Sequence, residues 1–306
     1  MKDMNLKYFL LMITFLIVQK TECQEKCECC AYHSFVYSVN LDDFFNPLTI
    51  VKENIKTAII STIEHDGTKA NKYIQVKFQF DKNGNIAIKK TFYQGQPGQV
   101  TYFDRNTKGY VIKETEFDMD SNESKSSFAS AEIRDYKYDN NSNLLKIKER
   151  DYAGKIIPDE KSECTKYEYD DLKRITREYR YLYYDENSLF VFDNNIKYSS
   201  ETESNSMTLY NGKPWMQTTS RYNTMYKLIS QVESSLPTME MAWEEHYQYS
   251  ENSQVVSFIR KRGIGRTECP DGDNYTEDYI YDSRKLLEKI THKYGNVICE
   301  MIVSYE

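Results

Sequence analysis

Tyr279-Ile280-Tyr281-Asp282-Ser283-Arg284-Lys285-Leu286-Leu287 is the stretch of sequence that decides the fold. Two tyrosines alternate along it, an aspartate follows them, and an aliphatic pair closes it. Tyrosine suits a half-buried pleated surface, and an aspartate at a strand end accepts a hydrogen bond from an amide two residues on, which starts a turn. The stretch therefore predicts one β-hairpin.

The same Tyr-x-Tyr-Asp pattern recurs along the chain. Clear copies begin at Tyr136 and Tyr167, and weaker copies begin at Phe78, Tyr102, Arg221 and Tyr247. Asn83-Gly84-Asn85 and Asn211-Gly212 supply turn residues that tolerate positive φ. A lone hairpin is marginally stable, so a tandem series implies that neighbouring hairpins pair edge to edge. We predict a mostly β fold, an elongated, curved antiparallel sheet of tandem hairpins, with a closed sandwich or barrel as the alternative.

The hairpin pattern resembles the YD repeat, also called Rhs-like, of bacterial secreted and cell-envelope proteins. The resemblance extends from about Ile74 to the C-terminus and has the form of a short, degenerate array, because only Asp81-Lys82-Asn83-Gly84-Asn85 keeps the glycine that usually follows the aspartate. It implies hairpin architecture and an envelope or secreted setting. It brings no catalytic residue with it.

The N-terminus has the features of a signal peptide. Lys2 and Lys7 precede the apolar run Tyr8–Val18, which is shorter than the ~20 apolar residues of a transmembrane helix. We predict a signal peptide helix over residues 1–23, with cleavage after Cys23, and a secreted or periplasmic mature chain. Lipidation of Cys23 is the alternative, for which Glu22 is a poor preceding residue.

Cleavage would leave six cysteines, an even number, which favours disulfides in an oxidising compartment. The candidates are Cys27, Cys29, Cys30, Cys164, Cys269 and Cys299. Their connectivity cannot be read from the sequence. A soft metal site formed by Cys27, Cys29, Cys30 and His33 is the alternative, but its spacing lacks the paired cysteines of a zinc finger. We expect disulfides and no metal or cofactor.

Two regions follow the signal peptide. Residues 24–54 form a cysteine-rich segment with one short helix between Asp42 and Asn54, and residues 55–306 form a single hairpin-repeat domain. Ile55–Ile63 should be its first strand and should pair with Tyr73–Phe80. Two stretches read as long mobile loops, namely 118–130 and 193–205.

Composition and motifs argue against several functions. The net charge of −7 opposes binding to nucleic acid or anionic membranes. None of the four histidines lies in a recognised catalytic motif. Glu245 and His246 are neighbours and should point to opposite faces of a strand. The calcium-loop resemblances at Asp118–Asn122 and Asp271–Asn274 fit turns better. We therefore expect a chain that is not an enzyme.

Tyrosine is the residue type best suited to recognition here, since it gives large contact area at low entropy cost. The chain contains 27 tyrosines. The sequence predicts a recognition or scaffold module for a protein or glycan partner. The alternative is an envelope lipid carrier with an acyl chain in the curved sheet. The candidate binding face consists of Tyr136, Tyr138, Tyr167, Tyr169, Tyr179, Tyr181, Tyr279 and Tyr281.

Overall fold

The computed structural model describes residues 44–66, 69–93, 95–125, 131–150, 164–185, 188–236, 238–251, 254–262, 274–294 and 297–306. The predicted signal peptide, four of the candidate disulfide cysteines (Cys27, Cys29, Cys30 and Cys269) and His33 lie outside these residues. The strands are β1 Thr57–Asp66, β2 Lys69–Phe80, β3 Ile86–Tyr93, β4 Gln96–Arg105, β5 Val111–Asp118, β6 Ala131–Tyr138, β7 Leu144–Arg150, β8 Cys164–Tyr169, β9 Ile175–Asp185, β10 Ser188–Tyr198, β11 Glu203–Tyr210, β12 Lys213–Tyr222, β13 Leu228–Ser235, β14 Met241–Tyr249, β15 Val255–Arg262, β16 Tyr275–Tyr281, β17 Leu287–Tyr294 and β18 Val297–Tyr305.

The sheet is closed. Each of the eighteen described strands pairs antiparallel with the next, and β1 pairs with β18, with Ile60 opposite Val303. The prediction of an elongated, open sheet is therefore wrong, and the alternative of a closed barrel is correct. Closure gives the terminal strands hydrogen-bond partners, so neither is left as an exposed edge. The predicted pairing of the first strand with Tyr73–Phe80 is confirmed.

One short helix, α1 (Pro47–Lys52), lies within the predicted segment and confirms it. The side chain of Asn46 accepts hydrogen bonds from the amides of Leu48 and Thr49, and proline occupies the first turn. The helix packs against the β2–β3 turn, where a Cβ on Gly84 would lie 2.2 Å from the carbonyl oxygen of Pro47. Gly84 also has φ +80°, so both the turn and the helix contact require glycine there.

An Asp or Asn at the end of a strand builds the same turn repeatedly along the chain. In six turns the Oδ1 of Asp or Asn accepts hydrogen bonds from the amides two and four residues later, at 2.8–3.1 Å. The third residue after it has positive φ, and Lys173, Tyr226 and Lys285 occupy that position as well as glycine. The predicted Asp118–Asn122 turn is one of this set, with Asp120 as its acceptor.

The tyrosine before the turn joins one hairpin to the previous one. Its hydroxyl donates to the carbonyl of the first residue of the preceding strand, which is its neighbour in the sheet, at 2.7–3.1 Å. The six pairs are Tyr138–Val111, Tyr169–Leu144, Tyr198–Ile175, Tyr249–Leu228, Tyr281–Val255 and Tyr305–Leu287. The motif therefore encodes both a turn and the attachment of its hairpin to the preceding strand in the ring.

Two neighbouring residues identify the inner face of the ring. The Phe45 ring lies 5.1 Å from Phe78 on β2, and the Phe44 ring lies 5.0 Å from Tyr279 on β16, four strands away through β1, β18 and β17. Side chains converge on a concave face and diverge on a convex one. Phe44 and Phe45 therefore lie inside the ring, and the face that carries Phe78 and Tyr279 is the inner face.

The main hydrophobic core fills the inside of the ring beside β1, β2 and β15–β18. It unites Phe44, Phe45 and Ile50 with inward residues such as Phe258 and Met301. A smaller cluster of Phe92, Val100 and Met119 lies on the outer face, and Ile74 packs against it. Strict alternation along β2 would place Ile74 on the same face as Phe78 and Phe80, but a bulge in the β1–β2 register shifts the alternation before Val76.

The prediction of a long loop at 193–205 is wrong. The stretch 193–205, predicted as a long loop, consists of the end of β10, a tight turn and the start of β11. Its polar residues, such as Asn194 and Asn195, are paired in the ladder. Polarity did not indicate a loop here, because the inner face at this part of the ring is itself lined by polar side chains.

Candidate functional site

The inner face carries a row of polar and aromatic side chains across five neighbouring strands, β13 to β17. Strand alternation and register place these side chains together, since residues directly opposite on antiparallel strands share a face. Tyr247 lies opposite Phe258, Glu245 opposite Arg260, and Glu277 opposite His292. The inner polar row consists of Glu233, Trp243, Glu245, Tyr247, Arg260, Tyr275, Glu277 and His292.

Arg260 is the centre of the more accessible end of the row. Its guanidinium lies 4.8 Å from the centroid of the Trp243 ring, and its Nη2 lies 2.7 Å from the Oε1 of Glu245. The Glu245 side chain is 14% exposed and that of Arg260 is 30% exposed. The Nε of Arg260 is buried and has no hydrogen-bond partner among the described residues. This donor therefore leaves one hydrogen bond of the row unmade.

Two further groups complete this end. The Tyr247 hydroxyl donates to the Oε2 of Glu245 at 2.9 Å, so both oxygens of that carboxylate are engaged. Burial and the nearby Glu245 charge raise the pKa of Tyr247. Burial, with the Glu245 charge as a further cause, also raises the pKa of Glu233. The row thus places a charged pair, a phenol and a carboxyl of raised pKa beside an indole.

The other end of the row is buried. Glu277 and His292 are 1% and 2% exposed. The Oε1 of Glu277 lies 3.2 Å from the Nδ1 of His292, and the Tyr279 hydroxyl donates to the other carboxylate oxygen. Burial raises the pKa of Tyr279 well above its usual value. Tyr275 connects the two ends, because it lies opposite Arg260 in the register and its ring is 4.9 Å from His292.

A second polar group lies elsewhere on the inner face, across β3 to β7. Arg134 contacts Glu149 at 3.3 Å and Glu114 at 3.4 Å. Burial and the charge and hydrogen bond of Glu114 raise the pKa of Tyr136, whereas burial lowers the pKa of Lys89. Charges of both signs therefore line two separate parts of the inner face.

The eight tyrosines predicted as one binding face do not share a face. Tyr136, Tyr167 and Tyr279 point inward, by register with the inner residues. Tyr179 and Tyr181 lie on the outer face, opposite Lys166 and Cys164. The remaining three attach neighbouring hairpins through their hydroxyls, namely Tyr138, Tyr169 and Tyr281. The structure distributes these rings around both faces of the ring, and their role in binding stays a prediction.

Two of the predicted disulfide cysteines are described. Cys164 on β8 lies on the outer face and Cys299 on β18 lies on the inner face, opposite His292, so the two do not face each other. Both are buried. No disulfide occurs among the described residues. Pairing with the N-terminal cysteines stays a prediction about residues that the structure does not describe.

Sequence analysis missed the inner polar row but separated its neighbours correctly. His246 lies 2.9 Å from Glu244 on the outer face, whereas Glu245 meets Arg260 inside, which confirms that Glu245 and His246 diverge. The alternation of Trp243, Glu245 and Tyr247 was a usable signal for a polar inward face. This signal did not lead to a predicted site, because the predicted fold was an open sheet, which has no interior.

No helix in the described part of the chain has the length and apolarity needed to cross a lipid bilayer.

Comparisons with known proteins give little. No protein-family model matches the chain, and no curated protein does. The crystal structure of TcdB2-TccC3 is similar over 77% of this chain but 14% of its own, with 13% identity and a TM-score of 0.28. Porin-like proteins from Bacteroides uniformis and Bacteroides vulgatus are similar over 82% and 81% of this chain and 96% and 97% of theirs, with 8% and 10% identity and TM-scores of 0.37 and 0.27. The chain spans about a seventh of the TcdB2-TccC3 chain. These TM-scores are too low to transfer a fold or a function.

Proposed function

We propose that this chain is a non-enzymatic, extracytoplasmic binding protein whose ring holds a hydroxyl-rich ligand, a glycan, against the inner polar row. The observation that carries the proposal is the arrangement around Arg260, where an indole face, a carboxylate and an unpartnered Nε–H lie together on a concave wall. Ligand sites are concave and combine aromatic surface with a few placed polar groups.

The chemistry of the row matches sugar hydroxyls. Each hydroxyl donates one hydrogen bond and accepts others, so it pairs with carboxylates and guanidinium groups at once. Glu233 and Glu245 supply acceptors, Arg260 supplies a donor, and Trp243 supplies a flat apolar surface for the carbon face of a ring. Glu245 is already fixed by Arg260 and Tyr247, which reduces the entropy lost on binding.

The same lining disfavours an acyl chain. An acyl chain would take the charged pairs Arg134–Glu114 and Arg260–Glu245 out of water without supplying further hydrogen bonds, and desolvating charged groups is costly even when they are paired. The lipid-carrier alternative therefore has less support than a polar ligand. The extracytoplasmic setting is proposed from the N-terminal signal pattern and the resemblance to YD repeats.

The test uses the two tryptophans of the chain. Trp215, 46% exposed, is replaced by Phe, which leaves Trp243 as the sole indole. Neutral oligosaccharides from a glycan array are then titrated while tryptophan fluorescence is followed. The proposal predicts a saturable fluorescence change in W215F, and an affinity about tenfold lower after Glu245→Gln, which removes one charge-assisted hydrogen bond.

Matched controls decide the outcome. Glu244→Gln removes a carboxylate from the outer face of the same strand and should leave affinity unchanged. Equal losses in both variants, or binding that leaves Trp243 fluorescence unaltered, contradict an inner-wall site. Mass spectrometry of the recovered oligosaccharide should show it intact, and shortened products contradict a non-enzymatic role. A lipid retained through native mass spectrometry contradicts the choice of a glycan.

A further inference from the structure

Three lysines stand in a row on the outer face of the ring. Lys137 on β6 lies directly opposite Lys146 on β7, and Lys146 lies directly opposite Lys166 on β8. Their inward neighbours Tyr136, Ile147 and Tyr167 belong to the other face. Adjacent strands are ~4.8 Å apart, so the row presents three cations at about that interval. We call Lys137, Lys146 and Lys166 the lysine ladder.

Within the part of the chain that the structure describes, no acidic side chain compensates the charges of the ladder. None of its members forms an ion pair among the described residues, and the Lys166 ammonium lies 5.8 Å from the centroid of the Tyr181 ring. Other outward lysines do have acidic partners. Lys77 contacts Glu123 at 2.7 Å, and Lys293 contacts Asp278 at 2.8 Å. Two acidic residues on the same strands as the ladder have other partners, since Glu168 contacts Arg177 and Asp135 lies opposite Lys148.

Two ordinary explanations of such a row fail. Like charges directly opposite each other destabilise a sheet, so the ladder does not exist for stability. Lysines also protect exposed sheet edges from aggregation, but β6, β7 and β8 each pair on both sides within a closed ring. In a chain with net charge −7, three aligned and unpaired cations form a local feature of opposite sign.

We propose that the lysine ladder binds a linear acidic polysaccharide laid across β6, β7 and β8. Charge complementarity selects an anionic partner, and the regular interval along one line selects a polymer with repeated carboxylates over a single compact anion. Lys137 and Lys166 are exposed and Lys146 is half-buried, so their ammonium groups reach such a chain from the wall. The site lies on the opposite face from the inner polar row and does not depend on the function proposed for it.

The test measures binding of the full chain to polygalacturonate, with neutral dextran as the reference polymer. The wild-type protein should bind polygalacturonate and not dextran, and the affinity should fall as salt rises because exposed charges are screened. The triple variant K137Q/K146Q/K166Q should bind about tenfold more weakly or worse, as three exposed ion pairs are lost.

The control variant K261Q/K289Q/K293Q removes three outward lysines elsewhere, so the two triple variants have the same net charge. The control should keep wild-type affinity. Equal losses in both variants overturn the proposal, since the effect would then follow net charge alone. Binding to phosphatidylglycerol vesicles with none to polygalacturonate overturns it as well. Circular dichroism and unfolding curves of both variants establish that each remains folded before affinities are compared.

Discussion

The hydroxyl of Tyr281 donates a hydrogen bond to the backbone carbonyl of Val255 across 2.9 Å, which fastens the turn before β17 to the start of β15. Tyr281→Phe removes this donor and leaves a partly buried carbonyl without it. We expect the free energy of unfolding to fall by about 1 kcal/mol. Tyr226→Phe is the control, because the Tyr226 ring is 63% exposed. Denaturant unfolding measures both, and an equal change in the two variants would contradict the role given to Tyr281.

Asp282 should make the stability of the fold depend on pH in the acid range. Burial of its carboxyl acts to raise the pKa, but hydrogen bonds from the amides of Leu286 and Arg284 outweigh this, and the pKa is lowered. A carboxyl with a lowered folded-state pKa stabilises the fold above its unfolded pKa of about 4, and the stabilisation is lost as pH falls through the folded-state value. Thermal unfolding between pH 7 and pH 2 should show this loss.

Two substitutions separate the charge of Asp282 from its geometry. Asn106 and Asn223 already accept the same pair of amide hydrogen bonds in equivalent turns. Asp282→Asn should therefore keep the turn and show a smaller acid dependence of the melting temperature. Asp282→Ala should lose about 1–2 kcal/mol at neutral pH, because the two amides lose their acceptor. An unchanged acid dependence in the Asn variant would rule out the carboxylate as its source.

Glu233 should give a pH dependence of stability opposite to that of Asp282. Its pKa is raised by burial and by Glu245, so its ionisation opposes folding as pH rises. The favourable contribution of the protonated form is present below the unfolded pKa and is lost above it. Glu233→Gln should raise the melting temperature at pH 7 and change it little at pH 4. A stabilisation that is equal at both pH values would contradict this origin.

Phe45 should contribute strongly to the stability of the inner core. It is 3% exposed and its ring contacts Phe78, Phe80 and Tyr305 on two strands that flank β1. Phe45→Ala should lower the free energy of unfolding by about 3–5 kcal/mol. Leu48→Ala, in the same segment but 81% exposed, should change it by less than about 0.5 kcal/mol. A small effect at Phe45 would place this segment outside the ring.

The hairpins were predictable because their information is local. Asp282 and Tyr281 act within a few residues or on the adjacent hairpin, and the helix signal of Asn46 and Pro47 is equally short-range. The faces of the strands were only partly predictable. A single bulged residue, as at Gln75 between Ile74 and Val76, reverses which side chains face inward. The sequence pattern does not indicate such a bulge.

Closure and the candidate site depend on contacts between distant residues. Ile60 and Val303 are paired although they lie at opposite ends of the described chain, and no turn connects them. An open and a closed stack of similar hairpins share the same local pattern, so the repeat alone does not distinguish them. Glu245 and Arg260 lie on an inner face only because the sheet is closed. The local sequence around them therefore does not show that they line a cavity.

Pairing of β1 with β18 is the claim on which the inner wall depends, and a disulfide between them tests it most directly. Ile59 and Ser304 are opposite each other on the outer face, at a separation that a cross-strand disulfide can bridge. The variant Ile59→Cys with Ser304→Cys should form that disulfide on mild oxidation, detected by peptide mapping. Ile63→Cys with Ser304→Cys, displaced by about 13 Å along the strand, should not. Absence of the first crosslink in folded protein would contradict a closed ring.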